Sequence, residues 1–463
     1  MKGFILTVNI KKTHKFVKCN NRFYTLVDYK SIYIIVPESS NRLKYILDFI
    51  FVEQLSCHYK LILAAEWMNF PLNGPCFSYG LTLEGIPQLE MVDAILTEES
   101  LLEKNIEIDQ NQESMPYFWK TNTDSFFYFD ILAASFFLLS RYEEYTSTTS
   151  DFHGRFPSKD SLAFKNGFLH RSLINEWLSA FTEKLNLIFP QLNLANQSSY
   201  ALIPSFDIDM AWAYQHKGIL RNTATFIKNI LLCRFELVKE QILVLSGRRR
   251  DPFDTYELIH ELKKNHKEIL VFWLLGSFGK FDKNHPIAST KFQKLIQSVA
   301  EHFKVGLHPS YGSHLSVDKL KKEKIVLESL IHIPVSRSRQ HFLKFRLPDT
   351  YQNLLEIGVE EEYSMGYPDQ PGFRASFAGT FYWFDLKKNE QTSLKIRPFA
   401  LMDVTLKNYL KLSSQDAIRL ATEMKEAAKS KGYPFIVIWH NSSFGSLHGW
   451  DGWKEVFDKL MEK

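Results

Sequence analysis

Ser205-Phe206-Asp207-Ile208-Asp209 sets two carboxylates two residues apart, so on an extended strand both point to one face. The apolar segment Tyr200-Ala201-Leu202-Ile203-Pro204 precedes them and suits a strand that would deliver them. Three histidines close or follow similar runs, in Val305-Gly306-Leu307-His308-Pro309, in Ser338-Arg339-Gln340-His341, and in Phe435-Ile436-Val437-Ile438-Trp439-His440-Asn441. Carboxylates and imidazoles at the ends of buried strands are groups that hold a divalent ion and move protons, which is the chemistry of metal-assisted hydrolysis. Each piece also has a plainer reading. Asp-x-Asp is a frequent turn or cap feature, and a histidine after a strand also serves as a cap or a packed side chain.

The elements that must position these groups follow from periodicity. From residue 200 onward, short buried strands alternate with longer amphipathic helices. Ile269 to Gly276 is a continuous apolar run, the mark of a strand covered on both faces. Phe292 to His302 predicts a helix, Val305 to Leu307 a strand, Val317 to Ile331 a helix, and Asn353 to Glu356 and Gln415 to Lys431 further helices. This rhythm predicts a mostly parallel sheet, open or closed into a barrel, with reactive groups at the carboxyl ends of its strands. Before residue 195, Ser31 to Val36 and Leu61 to Ala65 predict strands, and Phe126 to Tyr145 and Leu173 to Leu187 predict helices. Phe152-His153-Gly154-Arg155-Phe156-Pro157 reads as a loop, and Met1 to Lys11 as a first strand. The polar stretch Asn193 to Ser199 marks the boundary between an α/β N-terminal domain, 1–195, and a C-terminal domain, 199–463.

Composition narrows the class. A chain of 463 residues exceeds what one core normally supports. The formal charge of +4 is small for that length, and basic clusters such as Arg248-Arg249-Arg250 read as solvated surface. No basic stripe is interleaved with aromatics, so nucleic acid is not the expected partner. The longest apolar run is too short to span a bilayer. Cys19, Cys57, Cys76 and Cys233 lack metal-type spacing. With no apolar signal core at Met1 to Lys11, the expected location is the cytoplasm.

Residues 199–460 resemble a divergent polysaccharide deacetylase, the carbohydrate esterase group with a NodB-type distorted (β/α) barrel. That family's first motif, Thr-Phe-Asp-Asp-Gly, is matched by Ser205 to Asp209, and its His-Ser/Thr-x-x-His motif by His308-Pro309-Ser310-Tyr311-Gly312. The apolar strand closing on a histidine is matched by Ile436 to His440. A bacterial subgroup is also similar at Glu362 to Tyr367, Gly372 to Ala375, Met402 to Leu406 and Trp439 to Ser443. In that subgroup an uncharacterised domain precedes the deacetylase-like region, as residues 1–195 do here. The resemblance implies Asp207 as general base, Asp209 and His308 as metal ligands, and His440 as general acid. The second motif departs from the family, because its last position is Gly312. His341 is the preferred third ligand and His314 the alternative, with Arg339 orienting Asp207.

The implied reaction is hydrolysis of an acetamide or acetate ester on an N- or O-acetylated sugar or polysaccharide, with a divalent cofactor, zinc before nickel or cobalt. Arg374, Asp403 and Trp439 are candidate substrate contacts. Each has a structural alternative: an ordinary salt bridge for Arg374, a backbone or histidine hydrogen bond for Asp403, and core packing for Trp439. Two other functions fit the same residues. One is a degenerate barrel that binds a glycan or a protein partner without catalysis. The other is a metal-dependent hydrolase of a small cyclic amide.

Overall fold

The computed structural model describes residues 16–19, 22–25, 31–70 and 73–462. The strand expected at Met1 to Lys11 lies outside them. Near the N-terminus, β1 (Ser31–Val36), β2 (His58–Leu63), β3 (Cys76–Tyr79) and β4 (Gln88–Leu89) form a parallel sheet in the order β2-β1-β3-β4. The helix Leu173–Ile188 forms as its periodicity predicts. The helix expected over 126–145 is instead two pieces. Asp130 caps Ile131–Leu139 by accepting from the Ala133 N–H, and Arg141, at φ 57°, breaks the chain before Tyr142–Thr146.

The C-terminal half is built on nine strands: β5 (Leu202–Ile208), β6 (Leu270–Leu274), β7 (Lys304–His308), β8 (Arg337–Ser338), β9 (Glu361–Glu362), β10 (Phe381–Asp385), β11 (Glu390–Ile396), β12 (Leu401–Met402) and β13 (Phe435–His440). Their order is β10-β11-β9-β8-β7-β6-β5-β13-β12, all parallel except the β10–β11 hairpin. All five residues of β6 are buried. The helices Val317–Ile331 and Ser414–Lys431 return the chain between parallel strands, and Gly432, in the left-handed region at φ 70°, ends the second before β13.

A mixed α/β fold with parallel sheets is therefore correct, while the distorted barrel implied by the resemblance is not confirmed by the strand pairing. Among the described residues the strand ladder is open. One edge is the two-residue strand β12. The other is the β10–β11 hairpin, whose Phe381, Trp383, Phe384, Leu394 and Ile396 share one apolar core with residues 32–194 and with Phe345, Tyr351 and Leu354 of the second half. The second large core lies between the sheet and its helices, around Phe206, Trp273, Leu307 and Val437. No helix among the described residues is long and apolar enough to cross a membrane.

Candidate active site

Register decides which side chains meet. Asp207 on β5 lies opposite Phe272 on β6 and opposite His440 on β13. His308 ends β7 opposite Leu274, and Ser338 on β8 lies opposite Leu307. The carboxyl ends of β5, β7, β8 and β13 thus converge. They open into a cavity of about 340 Å³ whose lining includes Asp207, Asp209, His308, His341 and His440.

Asp207 is 2 % exposed and Arg339 fully buried. Arg339 donates from Nη1 to Asp207 Oδ1 at 2.8 Å and from Nε to the Tyr363 carbonyl at 3.2 Å. Asp209 lies just past the end of β5 and faces the cavity. Its Oδ1 is buried without a hydrogen-bond donor, 3.3 Å from His308 Nε2 and 3.6 Å from His341 Nε2.

The other nitrogen of each histidine fixes its tautomer. His308 Nδ1–H donates to the Arg339 carbonyl at 2.6 Å, and His341 Nδ1–H donates to Asp282 Oδ1 at 2.9 Å. In the neutral rings the Nε2 lone pairs then aim at a carboxylate oxygen. Lone pairs facing a carboxylate repel unless a cation lies between them, so this arrangement calls for a proton or a metal ion. One ligand atom from each of Asp209, His308 and His341 lies within 4.8 Å of the others. A carboxylate and two imidazoles suit zinc or another first-row divalent ion.

Charge tells the same story. Burial alone would raise the Asp209 pKa, but His341, His308 and His440 hold it well below the usual carboxylate range. Burial would lower that of His341, yet Asp209 and Asp282 push it up to about 9. In the protein without an ion, a proton does part of the work a metal would do.

His440 Nδ1–H donates to Asp403 Oδ1 at 2.8 Å, and the His440 backbone N–H donates to Asp403 Oδ2 at 2.8 Å. Its Nε2 faces Asp209 Oδ2 at 4.0 Å. Burial disfavours its charge, but Asp403, with Asp209 and Asp207 beyond it, raises its pKa to about 10. This imidazole is held protonated, with Nε2–H directed into the cavity.

Not every residue singled out from sequence reaches the cavity. His314 does not line it; burial drives its pKa down to about 4, and its Nδ1 has no hydrogen-bond partner. The geometry therefore favours His341 over His314. Arg339 and His341 do not share one extended strand, because β8 ends at Ser338. Gln340 stays extended, and His341 opens a short turn in which Phe342 stands at φ 60°. Arg374 is not a cavity residue either. It is buried, donating from Nε and Nη2 to the two oxygens of Glu144 at 2.8 and 2.6 Å. Trp439 is fully buried against Phe457 at 5.2 Å, so it packs and cannot stack on a ligand. Asp403 acts on His440 and does not line the cavity.

Three groups at the site, Asp282, Tyr409 and Arg155, escaped the sequence reading, whereas Trp450 was among the tryptophans it weighed as a sugar platform. Asp282 orients His341 and also accepts from the Tyr311 N–H at 2.8 Å. Tyr409 and Trp450 form apolar wall. Arg155, from the loop read only as a connection, lines the cavity and donates from Nη1 to the Phe342 carbonyl at 2.6 Å. Its own carboxylate partner, Asp151, accepts from Nε at 2.7 Å. The single available signal was an arginine in a loop rich in aromatic and glycine residues, which is not specific.

The model of a family of unknown function, DUF7033, matches residues 32–190. No curated protein matches the sequence. Among solved structures, a Mycobacterium smegmatis protein assigned as a polysaccharide deacetylase is 12 % identical at a TM-score of 0.35, covering 57 % of this chain and 84 % of its own. A 4-alpha-glucanotransferase from Thermococcus litoralis is 12 % identical at 0.35, covering 58 % of this chain and 38 % of its own. A Bacillus cereus polysaccharide deacetylase is 11 % identical at 0.26, covering 57 % and 86 %. Likenesses at these scores carry no argument about function, which has to come from the site.

Proposed function

We propose that this chain is a metal-dependent hydrolase that removes acetyl groups from an N- or O-acetylated sugar or polysaccharide. The observation that carries the reading is the buried Asp209 oxygen with no donor, faced by two histidine Nε2 atoms whose tautomers are set from behind. Asp209, His308 and His341 would hold a divalent ion, with zinc, nickel and cobalt all compatible. When bound, such an ion polarises a carbonyl and brings the pKa of water to about 7.

The chain's own residues supply the rest. Asp207, pinned by Arg339, accepts a proton from the attacking water at its free oxygen, Oδ2. His440 gives its Nε2 proton to the departing amine or alkoxide as the C–N or C–O bond breaks, leaving acetate and the free sugar group. A carboxylate bound to Arg339 beside an imidazole that Asp403 keeps as an acid is the pairing that hydrolysis near neutral pH requires. Tyr409, Trp450 and Leu343 give the cavity an apolar wall suited to a sugar face. The missing histidine at Gly312 is compensated in this reading by His341.

The test begins with metal content of protein purified without added metal, for wild type beside Asp209→Ala and His308→Ala. The expected result is about one ion per chain, lost in both variants, with acetate released from chitin oligosaccharides by wild type and not by Asp207→Asn. A folded wild type that takes up no zinc, nickel or cobalt would sink the proposal and leave the glycan- or partner-binding reading. Bound metal with turnover of cyclic amides, and none of acetylated sugars, would keep the ion and change the substrate.

A further inference from the structure

Directly after Asp209 the chain leaves the sheet and builds a helical hairpin, α1 (Ile219–Leu231) and α2 (Phe235–Leu245). Its amphipathicity is inverted. The inward side of α1 buries Asn229, and that of α2 buries Gln241 together with Val244. Gln241 Nε2 donates to the Asn222 carbonyl at 2.9 Å, and Asn222 Nδ2 to the Tyr214 carbonyl at 2.9 Å, so hydrogen bonds hold the hairpin down. The outward side carries Leu220, Ile227 and Leu231 on α1 and Phe235, Ile242 and Leu245 on α2. Leu220 is 88 % exposed, Leu231 77 % and Phe235 63 %. Spacings of seven and four residues place the α1 side chains on one face. A contiguous apolar face of this kind marks a docking surface for protein or membrane.

Charge decides which. Residues 217–250 carry eight Lys and Arg against two Glu, a net +6, in a chain whose total is +4. Lys228, Arg234, Lys239 and Arg248 are exposed around the apolar face, whereas Arg249 is engaged by Glu240. A second copy would bring the same positive segment against itself, which like-charge repulsion disfavours. Apolar side chains ringed by Lys and Arg match an anionic lipid surface, which takes the former among its acyl chains and the latter among its headgroups. We propose that this hairpin docks the protein on the surface of an anionic membrane without crossing it. The hairpin adjoins the site: Lys217, Asn229 and Arg234 share a second cavity with Leu447 and His448, two residues from Trp450 of the active-site wall.

The experiment is co-sedimentation of the full chain with vesicles of phosphatidylcholine alone and of phosphatidylcholine mixed with phosphatidylglycerol, across a salt series. Binding is expected only to the mixed vesicles and to weaken as salt rises. It should fall about tenfold or more in Leu220→Ser/Leu231→Ser and in Lys228→Glu/Arg234→Glu, with circular dichroism unchanged. Absence of binding, or equal binding to both vesicles, overturns the proposal. A wild-type dimer that the serine variant turns into monomer, with no vesicle binding, overturns it too and assigns the face to a second copy.

Discussion

At the scale of single residues, the site works by pairing each imidazole with a group behind it. His308 leans on the Arg339 carbonyl, His341 on Asp282 and His440 on Asp403. The last pair yields a sharp expectation. Asp403 raises the His440 pKa, so Asp403→Asn lowers it, and the acid form is lost at lower pH. The alkaline limb of the rate profile should move toward neutrality, while kcat at the optimum falls by about two orders of magnitude, the usual worth of a positioned acid. A pH–rate series on wild type and variant checks both; an unmoved limb would show that His440 is not the acid. Asp207, Asp209, His308 and His440 could be nominated from sequence because each closes or follows an apolar run. Asp282 and Arg155 could not, since each sits in a loop whose path is set by tertiary contacts and not by local pattern. Arg374 and Trp439 were drawn from motif context, and nothing in a motif tells that a Glu144 far along the chain neutralises the one, or that Phe457 covers the other.

At the scale of elements, the strands bring Asp207, His308 and His440 to one cavity because they themselves pack closely. Gly306, in the middle of β7, is one reason. A Cβ there would sit 2.5 Å from the Phe272 ring on the neighbouring strand and 3.1 Å from Arg337 Cβ on the other side. Gly306→Val should therefore cost about 1–3 kcal/mol of stability by overpacking, read as a lowered urea midpoint, and should weaken metal retention through the displaced His308. Helices with strong periodicity were legible to within a residue or two: Val317–Ile331 and Ser414–Lys431 are where their pattern puts them. The open edge of the sheet was not legible. Strand order depends on which distant segments pair, and the β10–β11 hairpin reads locally like any other β-ribbon. The α1–α2 hairpin was equally hidden, because an apolar stripe in sequence does not say whether it faces inward.

For the whole molecule, the polar junction between the two halves is as consequential as the apolar one. Arg141 and Arg374, both 1 % exposed, share Glu144, and Arg141 also reaches the Tyr367 hydroxyl at 3.1 Å. Glu144→Gln leaves the buried Arg374 guanidinium without its carboxylate, although Arg141 keeps Glu143, and should cost about 3–5 kcal/mol. Denaturant unfolding followed separately by tryptophan fluorescence and far-ultraviolet circular dichroism should show a single shared transition that shifts in the variant. Two separated transitions would mean that the halves fold independently. The reach of β10–β11 into the core of residues 32–194 has a historical side as well. Exchanging the first half for an unrelated module would strip Tyr45 and Phe136 from the Phe384 ring, so recombination at residue 195 would be punished at once. The two halves have to be inherited together, and a gene for the second half alone would first need its hairpin rewritten.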